Sequence, residues 1–147
     1  MTIRTVISPC EEPLWAQGLF LQIQRAARAL ARRFDAELRP LGLTSGQFIL
    51  LMLLNREEPL GMAALASSLA IDRTTLRAAL KILERRGLVE ITNDSSDHRL
   101  RRMRLTRQGG ALMKTTVPVG ERSDKEIEAR LAGTDLDSFR KNLQALC

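Results

Sequence analysis

The chain has 147 residues, a formal net charge of +6, and 44% hydrophobic residues of which few are aromatic (3% of the chain); this allows one domain with an aliphatic core and suits helices better than a β-sandwich. No run of about eighteen uncharged apolar residues is present, which excludes a membrane span, and the N-terminus lacks the apolar region of a signal peptide. The two cysteines, Cys10 and Cys147, sit at opposite ends without metal-ligand spacing, so the reading is a cytoplasmic protein with no metal and no cofactor.

From Pro13 to Arg39, apolar residues at Leu14, Leu19, Ile23, Ala26, Ala27, Leu30, Phe34 and Leu38 recur at steps of three to five, predicting a long amphipathic helix entered by a proline. Pro40 and Gly42 end it. Thr44-Ser45-Gly46-Gln47 has the spacing of a capping box. The run it opens, Phe48 to Leu54, is apolar on every side, so this helix is predicted to be central and buried. Asn55 to Pro59 reads as a polar loop.

Leu60 to Asp72 predicts a short helix and a tight turn, with Leu65, Leu69 and Ile71 inward and Asp72 as N-cap of the next helix. In that helix Leu76, Leu80 and Leu83 make one apolar stripe, and Arg73, Thr74, Arg77 and Lys81 fall on the opposite side. Two short helices joined by a tight turn, the second with a basic outer face, read as a helix-turn-helix. Gly87 closes the second helix. Leu88 to Thr92 then alternates, Asn93 to His98 is turn chemistry, and Met103 and Leu105 share a face opposite Arg102 and Arg104: a hairpin that presents arginines. After Thr106 a helical segment resumes, with interruptions predicted at Pro118 and Gly120. A last helix is predicted from Thr134, in capping relation to Asp137, to about Leu146. The fold class is therefore mainly α with a small β-hairpin wing.

Residues 72–108 hold ten Lys/Arg against five Asp/Glu, a net of +5 out of the chain's +6. A basic patch confined to one helix and one hairpin is the electrostatic footprint of a duplex DNA reader. An enzyme has little to stand on: there is no Gly-rich phosphate loop, no His-Glu-x-x-His and no nucleophile pattern near His98, the only histidine.

The order helix, buried helix, helix-turn-helix, wing, C-terminal helices resembles the MarR family of winged-helix transcriptional regulators. The resemblance rests on Leu43-Thr44-Ser45-Gly46-Gln47-Phe48, Ile71-Asp72-Arg73-Thr74-Thr75-Leu76, Leu83-Glu84-Arg85-Arg86-Gly87-Leu88-Val89, Asp94-Ser95-Ser96-Asp97-His98-Arg99 and Arg104-Leu105-Thr106-Arg107-Gln108-Gly109. Any one of these is weak; five in order are specific. The resemblance implies one domain over 1–147, a winged helix-turn-helix lobe at 44–105, and dimerisation helices at 13–39 and 107–147 that interlock in a homodimer. Ala70 stands where the family often has a glycine.

The same resemblance implies a sequence-specific repressor that binds double-stranded DNA at a pseudo-palindromic operator, with half-sites roughly 10 base pairs apart. Arg73, Thr74, Arg77 and Lys81 are the candidates for the major groove, Arg77 for a guanine edge, and Ser67 and Thr75 for backbone phosphate. Arg99 matches the wing-tip arginine of the minor groove, Asp97 the residue that steadies its guanidinium, and Arg101 lies beside them. A small aromatic or anionic effector is implied between the dimer helices and the lobe, with Arg25, Arg28, Gln47 and Phe48 as candidate lining residues. Alternatives are a thiol-based redox-sensing regulator using Cys10, a sequence-neutral architectural DNA binder, and a winged-helix protein–protein module; a Cys10–Cys147 bridge between subunits is geometrically conceivable, but a reducing cytoplasm argues against it.

Overall fold

A computed structural model describes residues 17–147. Cys10, Pro13 and Leu14, on which parts of the sequence reading rest, lie outside the described residues. Helix α1 spans Leu19–Leu38, and Gly18 before it is extended at φ −60°, ψ 135°. The chain then makes a short turn of 3-10 helix at Arg39–Leu41 and enters α2, Ser45–Leu54. The predicted capping box is formed: Thr44 Oγ1 accepts from Gln47 N at 3.2 Å, and Gln47 Oε1 accepts from Thr44 N at 3.1 Å. A second acceptor serves the same helix end. Asp35 Oδ1 takes the Ser45 N–H at 2.6 Å, and that bond to Ser45 holds the Asp35 carboxyl below its ordinary range.

After α2 come β1 (Leu60–Gly61), α3 (Met62–Leu69), α4 (Arg73–Arg85), β2 (Val89–Asn93), β3 (Arg101–Leu105), α5 (Arg107–Arg130) and α6 (Leu136–Gln144). The sheet is antiparallel in the order β1-β3-β2, with Met103 opposite both Ile91 and Leu60. The sequence pattern predicts a two-stranded hairpin here, without β1. Two residues are too few for an alternating pattern to register, so the third strand is visible only through its partner. Gly87 closes α4 with φ +69°: its N–H donates to Glu84 O at 2.9 Å and the Leu88 N–H to Leu83 O at 3.0 Å, the paired bonds of a Schellman turn.

The core is aliphatic, as the composition predicts. Leu38, Leu51, Leu65, Leu76, Leu80, Leu83 and Met103 are completely buried, and the rings of Phe34 and Phe48 meet edge to face at 5.0 Å. α2 lies at the centre, against both α1 and α5, with Phe48, Leu50, Leu51 and Leu54 buried; it is not buried all round as the apolar run predicts, since Ile49 and Met52 are 45% and 49% exposed.

Two boundaries differ from the sequence reading. Pro118 and Gly120 do not interrupt α5, which runs unbroken from Arg107 to Arg130. A proline inside a helix forgoes one backbone bond and costs about 3 kcal/mol. Here the burial of Met113 and Thr116 before it, and of Gly120 after it, anchors both flanking turns. Gly120 is itself a contact point, because a Cβ there would come within 2.6 Å of Phe48 Cζ. The cap of α6 is Asp135 rather than Thr134: its Oδ1 accepts from Asp137 N at 3.1 Å and Ser138 N at 3.2 Å. A carboxylate placed at the helix entry serves two amides where a hydroxyl one residue earlier would stand outside the turn.

Candidate nucleic-acid interface

The helix-turn-helix is built by α3 and α4. α3 buries Leu65 and Ala66 and ends on Ala70, whose φ of +51° makes it the one non-glycine residue with positive φ among those described. The turn closes through Ala70 N to Ser67 O and Ile71 N to Ala66 O, both 3.1 Å. α4 begins at Asp72, whose Oδ1 accepts from Thr75 N at 2.8 Å while Oδ2 accepts from Thr75 Oγ1 at 2.6 Å. These bonds to Thr75 hold the Asp72 carboxyl low, and a carboxylate suits the positive end of the helix dipole. The Thr75 hydroxyl, a candidate for phosphate, therefore donates to this cap and keeps only its lone pairs for a partner outside.

Once α4 buries Leu76, Leu80 and Leu83, its period of 3.6 sends Arg73, Thr74, Arg77 and Lys81 outward, and all four are exposed. Ser67 is exposed at the end of α3. None of Arg73, Arg77 and Lys81 is in an ion pair, whereas arginines elsewhere are: Arg33 pairs with Glu126 at 3.1 Å, and Arg104 with Glu90 across the hairpin. Three cations in no ion pair on one helix face outnumber the Asp72 and Glu84 carboxylates of the same segment and leave that face net positive.

The hairpin tip is organised by Asp94, which is nearly buried and which the sequence reading treats only as a turn residue. Its Oδ1 accepts from Ser96 N at 2.8 Å, Ser96 Oγ at 2.5 Å and Asp97 N at 3.3 Å, and its Oδ2 accepts from Arg102 Nε at 2.5 Å. The Ser96 hydroxyl and then the Arg102 guanidinium hold this carboxyl far below the usual carboxylate range. The signal was in the spacing, since an aspartate two residues before a serine is an Asx-turn pattern. Asp97 also works on backbone. Its Oδ1 accepts the Arg99 N–H at 3.0 Å, and no ion pair joins Asp97 to the Arg99 guanidinium, so here it shapes the turn rather than the arginine head. Arg99 and Arg101 are exposed and in no ion pair.

The candidate effector residues do not form one site within this chain. Arg25 and Arg28 line a shallow groove along α1 with Gln22, Ala26, Ala29 and Arg32. Gln47 is occupied elsewhere: its Oε1 belongs to the capping box and also takes a bond from Arg86 Nη1 at 3.3 Å. Phe48 is core, only 3% exposed and covered by Phe34 and Gly120. Cys147 is free and exposed at the end of α6. Among the described residues no three His, Cys, Asp or Glu side chains are grouped to hold a metal ion, and no helix is long and apolar enough to cross a membrane.

The sequence model of the MarR family matches residues 41–100, from the 3-10 turn after α1 to the tip of the hairpin. The HTH-type transcriptional repressor Rv2887 of Mycobacterium tuberculosis is 30% identical over 124 residues, covering 84% of this chain and 89% of that protein. The transcriptional regulator HosA of Escherichia coli O111:H- is 28% identical over 120 residues, covering 82% and 87%. Among solved structures, the M. tuberculosis transcriptional regulator MosR in complex with DNA aligns with a TM-score of 0.77 at 32% identity, covering 88% of this chain and 92% of that one. The repressor CouR bound to a 23-mer DNA duplex aligns with a TM-score of 0.77 at 26% identity, covering 95% and 98%. These relatives are transcriptional regulators, not enzymes. With its helix-turn-helix, its hairpin and these likenesses along most of its length, the chain belongs to the MarR family.

Proposed function

We propose that this protein is a cytoplasmic, homodimeric repressor that reads a pseudo-palindromic operator with α4 in the major groove and the hairpin tip in the minor groove. The observation that carries it is the row Arg73, Arg77 and Lys81 on α4 together with Arg99 and Arg101 at the hairpin tip, all exposed and none in an ion pair. Guanidinium forks suit guanine edges and phosphates, and unneutralised ones need no internal partner displaced first. MosR and CouR, two fold relatives above 25% identity, are described in DNA complexes.

The domain division follows. Residues 44–105 form the reading lobe, and 13–39 with 107–147 supply the dimer. Support comes from apolar side chains that one subunit leaves in water: Leu19 and Phe20 are 78% and 79% exposed, and Phe139, Leu143 and Leu146 line the outer side of α6 and the C-terminus. Monomers rarely leave such patches uncovered. A small aromatic or anionic effector would bind near Arg25 and Arg28 and release DNA, to the extent that it prefers a geometry unlike the DNA-bound one. Gln47 and Phe48 then act through the fold, as cap and core, rather than as lining.

Footprinting on the DNA around the gene tests the reading. One protected inverted repeat with a spacing near one helical turn is the expected result. Uniform protection of any duplex favours the architectural alternative, and no DNA affinity at all favours the protein–protein module.

A further inference from the structure

One side chain of the hairpin breaks the pattern that places the others. Across residues 89–105 the apolar residues Val89 and Met103 point inward and are buried, yet Leu100 is 51% exposed, the one large apolar side chain of the hairpin left in water. It sits between Arg99 and Arg101. Its backbone is tied on both sides, with the N–H donating to Asp97 O at 2.9 Å and the carbonyl accepting from Asp94 N at 2.8 Å. The Asp94 carboxylate braces the same loop through Ser96, Asp97 and Arg102. The backbone that carries Leu100 is thus held at both its N–H and its carbonyl, with the side chain half exposed between the two arginines.

A leucine held in water between two unpaired arginines gains nothing until a partner covers it. That partner must be apolar in the middle and anionic at its edges. The minor groove of duplex DNA has this character, with deoxyribose walls, a base-edge floor and phosphates along both rims. We propose that Leu100 is a specificity-determining residue that packs against the floor and sugar walls of the minor groove and selects A·T over G·C pairs there. The reason is chemical. Guanine presents its N2 amino donor in the minor groove, whereas A·T pairs present only acceptors. A methyl group pressed on that donor removes its water and offers no acceptor in return, and an unsatisfied buried donor is costly. Arg99 and Arg101 supply attraction on either side. This inference rests on the reading of the chain as a duplex DNA binder.

The test uses the full-length protein and a duplex that it enriches from a randomised library, with the wing's minor-groove steps located by hydroxyl-radical footprinting. Three forms of that duplex carry A·T, G·C or inosine·C at those steps; inosine lacks only the N2 amino group of guanine. Wild-type protein is expected to bind the G·C form about tenfold more weakly than the A·T form, with inosine·C restoring affinity. Leu100→Ala, with an unchanged melting temperature, is expected to bind all three forms alike. Arg99→Ala is expected to weaken all three while keeping the G·C penalty. A Leu100→Ala variant that keeps the wild-type ratio overturns the proposal, as does a penalty that disappears only in Arg99→Ala. A protein that enriches no duplex overturns the DNA reading itself, so the two failures are distinct.

Discussion

The ring of Phe48 occupies the space that a side chain at Gly120 would need: a Cβ built there lies 2.6 Å from Cζ and 3.1 Å from Cε1. The ring cannot easily retreat, because Phe34 meets it edge-on at 5.0 Å. The glycine in α5 therefore sets how closely that helix approaches the central α2.

Gly120→Ala is expected to destabilise the protein, since overpacking of about 1–3 kcal/mol outweighs a helix-propensity gain of about 1 kcal/mol. Gly110→Ala in the same helix, where an added Cβ meets nothing within 4 Å, is expected to stabilise by up to about 1 kcal/mol. Urea denaturation of both variants, with Phe48→Leu added to Gly120→Ala as a rescue, checks the assignment. Equal effects of the two alanines would show that packing against Phe48 is not the cause.

Ala70 holds the bend of the helix-turn-helix at φ +51°, a conformation that costs an L-residue about 1–2 kcal/mol. Ala70→Gly relieves that strain but frees the unfolded chain by roughly 0.5–1 kcal/mol. The expected net is a gain of up to about 1.5 kcal/mol, read as a higher urea midpoint with an unchanged slope. DNA affinity should not move, because the substitution leaves the outer face of α4 intact. A lower midpoint would mean that the Ala70 methyl makes a contact worth more than the strain.

The elements with strong local signals were legible in the sequence: α2 through its capping box, α4 through the stripe of Leu76, Leu80 and Leu83, and the hairpin through the alternation that pairs Ile91 with Met103. The misses have a common cause. β1 exists only as a partner of β3, Pro118 is tolerated only because packing anchors both sides of it, and Gly120 has meaning only opposite Phe48. Each is a tertiary relation that a local rule reads as a gap or a break. The same holds at the interface. The basic face of α4 follows from helical period alone, whereas the role of Asp94 needs four donors brought to one carboxylate by the fold of the tip.

Those donors make Asp94 a source of acid sensitivity. Its carboxyl is held far below the ordinary value when folded, and the unfolded group takes its proton near pH 4. The stabilisation is therefore fully present above about pH 4 and is lost as pH falls further, because the unfolded chain binds the proton first. Asp94→Asn is expected to be less stable than wild type at pH 7 and to lose less stability between about pH 4 and pH 2. Asp35, Asp72 and Asp135 are also held low, so the acid slope should shrink rather than vanish. Parallel acid limbs in the two proteins would remove Asp94 from this role.

The proposed dimer makes a prediction about mass and concentration. Two chains of 16.5 kDa should scatter light as about 33 kDa at micromolar concentration, with a melting temperature that rises with concentration. Phe20 is 79% exposed in one subunit and Leu143 40%, so charge at Phe20 costs an isolated chain little and charge at Leu143 costs it more. Phe20→Asp with Leu143→Asp is expected to give monomers and to abolish tight operator binding. A wild-type protein that stays monomeric, or a variant that stays dimeric, would place the seam elsewhere.

The sharpest prediction separates two side chains one helical turn apart. Arg77 and Lys81 are both exposed and unpaired on α4, yet their heads differ: a planar fork reads a guanine edge bidentately, while an ammonium acts as a point charge. If Arg77 reads a base, Arg77→Ala should relax preference at one position in each half-site by about 1–3 kcal/mol. If Lys81 holds a phosphate, Lys81→Ala should weaken all sequences alike and lower the salt slope by about one unit per lost contact. Titrating both variants against a small operator library at several salt concentrations distinguishes the roles. Should both lose affinity uniformly with base preference intact, Arg77 is a phosphate clamp, and recognition must rest on Arg73, Thr74 and the hairpin.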